Sequence, residues 1–208
     1  MTEPTITNGY CTLAQLKAAY TIASADVVDD VALAAAISSA SRLIDKYTNR
    51  FFYSLGTVES PATFYYSPKS ETLCHTDDFQ SLSEVAVNQA ASNSAWATVF
   101  ASTDYMLEPV NAPQWGEPYT SILAIGRYPL VNWWPQSLRL KGVFGWAAVP
   151  EQVRQACLMQ ASRIYMRAAS PFGIAGTPDI GVVRLSNRLD ADVQVLLSAF
   201  VRTGGMVL

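Results

Sequence analysis

Apolar positions along the chain follow two periods, in three blocks. Leu13, Leu16 and Tyr20 have helical spacing directly behind Thr12 and Gln15, a pair set for a reciprocal cap. Leu33, Ile37, Ala40, Leu43, Ile44 and Tyr47 then recur every three or four residues, with Ser38, Ser41, Arg42, Asp45 and Lys46 on the opposite side. This predicts an amphipathic helix with one buried face, capped by Asp29 or Asp30. Near residue 51 the period changes. Short aromatic and β-branched runs alternate with Pro, Gly, Asn and Ser, which predicts strands at 62–67, 84–89, 105–107, 119–124 and 137–144. In the last of these, Leu138 and Leu140 alternate with Arg139 and Lys141, as in a half-buried strand.

The third block is helical again. Pro150 is expected in the first turn of a helix running to about residue 168, with the stripe Val153, Ala156, Cys157, Gln160, Ala161 and Ile164. Leu158, Met159 and Met166 fall off that stripe, so this helix is apolar on two sides. Either its own chain covers it all round, or the second side meets a neighbouring subunit. The stretch SPFGIAGTPDIG reads as a loop or extended arm, followed by an extended piece at 182–185. A last helix is expected behind Asp190 or Asp192, with Val193, Leu196, Leu197, Phe200 and Val201 on one face and Gly204 and Gly205 ending it. The fold class that follows is α+β: a small helical bundle of N- and C-terminal helices with an inserted antiparallel β-rich subdomain. The division is 10–50 and 146–208 for the helical body and 51–145 for the insertion.

Charge sharpens this picture. Only 15% of residues are charged, against roughly 25% in ordinary globular chains. With five Trp and ten Tyr, that composition favours a surface buried against partners. A net charge of −3 without a basic patch argues against tight binding to a phosphate backbone. No apolar run is long enough to span a bilayer, and MTEPTITNG lacks the features of a signal peptide, so no membrane partner is expected. Cys11, Cys74 and Cys157, odd in number and far apart in sequence, read as reduced thiols.

Catalytic chemistry has little to work with. Cys74, the single His75, Asp77 and Asp78 contain metal-ligand types, but on a strand Cys74 and His75 point to opposite faces, and no second cluster completes a site. A turn with a solvated His and Asp pair is the simpler reading. FGIAGTPDIG lacks the lysine of a phosphate loop, and no serine or cysteine sits in a nucleophile motif. No catalytic residue, metal or cofactor is assigned.

The order YCTLAQLKAAY, ALAAAISSASRLIDKYTNRFFY, a β-rich stretch with DYMLEP and PYTSI, GVFGWAAVPEQVRQACLMQASRIYMRAASPFGIAG and VRLSNRLDADVQVLLSAFVR resembles the head–tail connector (adaptor) proteins of long-tailed bacteriophages. The resemblance spans nearly the whole chain. It implies a non-enzymatic virion neck protein, assembled in the host cytoplasm. It also implies a homo-oligomeric ring, usually of twelve, between the portal protein and a stopper or tail-completion protein. Genome DNA would pass through its centre without sequence-specific binding. In such a ring each subunit has two different faces to cover. Leu158, Met159, Met166, Phe172, Ile174 and Ile180 are the candidate subunit contacts. Met206, Val207 and Leu208 are the candidate portal contact. Gly142, Phe144, Gly145, Trp146 and Pro150 form the corner expected to set the angle between insertion and body, the glycines letting the backbone turn.

Three other readings compete. A stopper or tail terminator would be mostly β-barrel-like, with few helices. A hydrolase would need a pocket joining His75, Asp77 and Asp78 to a nucleophile. A carbohydrate-binding β module would use Trp133 and Trp134.

Overall fold

The computed structural model describes residues 4–20, 22–24, 26–88, 96, 98–126, 129–130, 135–168, 174–175, 183–184 and 189–202. The fold is α+β, and the chain forms two compact units. One joins Met1–Asn49 to Val149–Thr203, and the other is Arg50–Ala148.

Among the described residues four helices build the first unit: α1 (Leu13–Ala19), α2 (Asp30–Thr48), α3 (Glu151–Ala168) and α4 (Ala191–Leu197). The Thr12–Gln15 capping box at α1 forms in both directions. On α2, Leu33, Ile37, Ala40 and Ile44 are buried, whereas Leu43 and Tyr47 are only half-buried. Burying each large aliphatic side chain is worth about 1.5–3 kcal/mol. Ser41 departs from the expected polar side and is fully buried. It is accommodated because its Oγ donates to the Ile37 carbonyl at 2.8 Å and accepts from the Tyr10 amide at 3.1 Å. Asp29 occupies the N-cap of α2 without a side-chain cap bond. Its carboxylate accepts instead from the Tyr165 hydroxyl at 2.9 Å. Asp30 pairs with the buried Lys17 at 2.5 Å, linking α1 to α2. The helix stops at Asn49, whose left-handed φ of 52° asparagine tolerates.

Pro150 stands just ahead of α3 rather than inside it, and its carbonyl accepts the Arg154 amide in the first turn. On α3 the buried stripe is Val153, Ala156, Cys157, Gln160 and Ala161, with Ile164 half-buried. At α4, Asp190 is the N-cap but caps nothing with its side chain; its carboxylate pairs with Arg163. The helix is also shorter than expected. It passes into a 3-10 turn at Ser198–Phe200, after which Val201 is extended and the Arg202 amide donates to the Thr48 carbonyl. Gly204 and Gly205 lie outside the described residues. Two short strands of this unit, β7 (Ile174–Ala175) and β8 (Val183–Arg184), pair antiparallel.

The second unit is an antiparallel sheet of β1 (Ala62–Tyr66), β2 (Leu73–Val87), β3 (Thr98–Val99), β4 (Tyr105–Glu108), β5 (Tyr119–Ala124) and β6 (Leu138–Phe144). The order is β1-β6-β2-β5-β4, with β3 added to β2. The central β2 is much longer than the expected 84–89. Its LCHTDDFQSLSE stretch pairs with β5 and β6 through three register shifts. These bulges reset the alternation, so Cys74, Thr76 and Asp78 are buried in one phase and Phe79, Val85 and Val87 in another. Phe79, Phe144, Leu138, Leu140, Ile122 and Tyr66 make the core beneath the sheet.

Candidate functional site

The corner expected from sequence is built around a buried carboxylate. Asp78, 2% exposed on β2, accepts the Trp146 indole N–H at 3.0 Å and pairs with Arg50 at 3.3 Å, while its own carbonyl accepts the Gly145 amide at 2.6 Å. The segment where the chain enters the β unit and the one where it leaves are thereby tied to the same residue. Next to it, Phe52 packs on Trp146 with ring centroids 5.4 Å apart, and Leu55 bridges Phe144 through two backbone bonds. Phe144 stacks on Phe64 at 4.1 Å.

The two glycines of the corner do different things. Gly145 has φ +82°, and a Cβ there would collide with the Tyr53 carbonyl, so it is the turn glycine. Gly142 does not turn the chain. It lies within β6 opposite Leu82, where the β2 bulges push the Ser81 carbonyl against it and leave no room for a Cβ.

The Cys74–Asp78 stretch is a strand, not a turn. His75 is exposed and Cys74 buried, as the alternation of a strand requires. The Asp pair is not solvated: Asp78 is the corner carboxylate, and Asp77 accepts the Tyr66 hydroxyl at 3.1 Å. Burial pushes the Cys74 thiol up to about 12, away from the reactive thiolate. Among the described residues, no group of three His, Cys, Asp or Glu side chains is placed to hold a metal.

Of the candidate subunit contacts, Leu158 and Met159 are half-buried on α3 and Met166 is 52% exposed in its last turn. Ile174 lies in β7. Phe172, Ile180, Met206, Val207 and Leu208 lie outside the described residues, as do Trp133 and Trp134. Sequence reasoning missed an apolar group at the start of α2. Val27, Val28 and Val31 are 52%, 86% and 73% exposed. The signal was present, because Val31 is two positions from Leu33 and so off the buried stripe. The Tyr165–Asp29 hydrogen bond sets this group beside the α3 turn that carries Met166. Trp115 is likewise exposed, on the 3-10 turn Ala112–Trp115 of the β unit. Among the described residues no helix is long and apolar enough to cross a membrane.

The chain matches no protein-family model and no curated protein sequence. Solved structures do match it in fold. A chain from the neck of an empty gene transfer agent particle, computed with C6 symmetry, superposes with a TM-score of 0.57 at 17% identity, covering 99% of this chain and 97% of that one. A chain from the neck of the native particle, computed with C12 symmetry, gives 0.56 at 15%, again covering 99% and 97%.

Proposed function

We propose that this protein is a structural subunit of the head–tail neck of a phage-like particle, working as a ring of identical copies rather than as an enzyme. The observation that carries the reading is the end-to-end likeness of fold. Both chains are covered almost completely, so the likeness includes the helical unit, the inserted sheet and the order in which the chain visits them. The finer reading is a ring of twelve in the virion, between the portal protein and a stopper or tail-completion protein, with DNA crossing its centre. A low charge content and a mildly acidic balance suit a lumen that does not grip phosphates.

Within the ring, the copy-to-copy contact would use Val27, Val28, Val31 and Met166, apolar side chains that the helical unit leaves exposed. Leu158 and Met159 would extend it, with Phe172, Ile174 and Ile180 forming an arm. Residues 206–208 would dock on the portal. The test is the mass of the purified protein alone and mixed with portal rings, measured by native mass spectrometry. A ring-sized species, alone or on the portal, is expected. A monomer under both conditions would overturn the reading.

A further inference from the structure

Cys11 and Cys157 are 146 positions apart in sequence, yet their sulfurs lie 3.4 Å apart inside the helical unit. Cys11 sits just before the N-cap Thr12 of α1, and Cys157 lies on the buried stripe of α3. Both are free thiols, 4% and 0% exposed. A disulfide needs a sulfur separation near 2.05 Å, so the two atoms must approach by only about 1.3 Å. We propose that this pair is an oxidisable clasp, which closes into a disulfide and fastens the segment preceding α1 to α3. The inference stands apart from the neck reading.

The two sulfurs share one hydrogen bond in which either can be the donor, so either thiol can act first. Their burial favours a small oxidant, of the peroxide class. The thiolate of one cysteine attacks one peroxide oxygen, the O–O bond breaks, and hydroxide leaves, giving a sulfenic acid. The other sulfur then attacks the sulfenic sulfur. The S–O bond breaks, and the departing hydroxyl, with the proton of the attacking thiol, leaves as water. In sum, two thiols and one hydrogen peroxide give one disulfide and two waters, each sulfur losing one electron. Cys74 takes no part: it belongs to the other unit and is buried in β2.

The clasp joins the two chain segments from which the helical unit is made, one on each side of the β unit in sequence. Closing so long a loop restricts the unfolded chain.

The experiment treats the full-length protein with hydrogen peroxide, blocks the remaining thiols with iodoacetamide, and maps peptides by mass spectrometry. The expected result is a loss of about 2 Da, one alkylated cysteine (Cys74) and a linked peptide pair carrying Cys11 and Cys157. Dithiothreitol should reverse all three. The thermal midpoint should rise by roughly 5–15 °C on oxidation and fall back on reduction. Mapping the unaltered chain requires no variant to fold. A Cys74→Ser protein, expected to give the same linked pair, checks that the third thiol is not the partner. Three freely alkylated cysteines, or over-oxidation of single cysteines without the linked pair, would overturn the proposal. A linked pair with an unchanged thermal midpoint would overturn the clasp as a structural fastening.

Discussion

Asp78 shows what a single residue settles here. A carboxylate 2% exposed is tolerable only with partners, and it has Arg50 and the Trp146 indole. Asp78→Ala removes a buried ion pair with Arg50 and the acceptor of the Trp146 indole, and should cost about 3 kcal/mol, read from urea unfolding midpoints. Its role was illegible in sequence because TDD reads as solvated turn chemistry, and the partners that bury it lie 28 and 68 positions away. Glu84 makes a milder case on the face of the sheet. Desolvation alone would raise its carboxyl, but hydrogen bonds from Lys141 and Arg139 outweigh this and hold it below its ordinary 4.5. A group depressed in the folded state stabilises above its unfolded pKa, and that stability is lost as pH falls through the folded value. The stability gap between the wild type and Glu84→Gln should therefore be full at neutral pH and shrink below pH 4.5. Paired urea titrations across that range check it, and a gap that widened in acid would contradict the assignment.

Among the elements, those with an unbroken period were the readable ones. The α2 stripe came through because Leu33, Ile37, Ala40 and Ile44 keep one arc, and β6 because Leu138 and Leu140 are buried and Arg139 and Lys141 half-buried in between. The first half of β2 was missed for the opposite reason. Its bulges break the alternation between Asp78 and Phe79, and Asp77 and Asp78, polar in sequence, are bonded inside the unit. Those bulges also explain why Gly142, read from sequence as a turn residue, is a close-approach residue. The corner glycine gives a sharp comparison. Gly145 and Gly116 both have positive φ, +82° and +71°, but a Cβ at 145 meets the Tyr53 carbonyl whereas one at 116 meets nothing within 4 Å. Gly116→Ala should cost about 1 kcal/mol, the conformational term alone. Gly145→Ala should cost about 3 kcal/mol or more, since the backbone of residue 53 must also move. Equal losses in thermal or urea unfolding would show that the collision is relieved cheaply.

For the whole molecule, the sequence order of helices, strands and helices carried the α+β class, and the exposure of Val31 followed from its place off the α2 stripe, whereas that of Val27 and Val28, ahead of the helix, carried no periodic signal. Val28→Asp, at a position 86% exposed, should leave the thermal midpoint nearly unchanged yet lower the share of ring-sized species in native mass spectrometry. A more demanding test concerns the discontinuous helical unit. We propose that it folds as a domain in its own right. Its buried side chains come from both segments: Leu16, Leu33, Ile37 and Ile44 from the first, and Val153, Ala156, Ala161, Val193 and Leu197 from the second. Replacing Arg50–Ala148 with a short Gly/Ser linker removes none of these residues. The linker must take over the joining of the two segments, at a closure cost that grows only slowly with its length. The expected product is soluble, with a helical far-UV spectrum and one cooperative thermal transition. Helical signal without cooperativity, together with binding of a hydrophobic dye, would describe a molten state. If several linker lengths all gave that state, the β unit would be supplying part of the stability of the helical unit, and the two would have to be treated as a single folding unit.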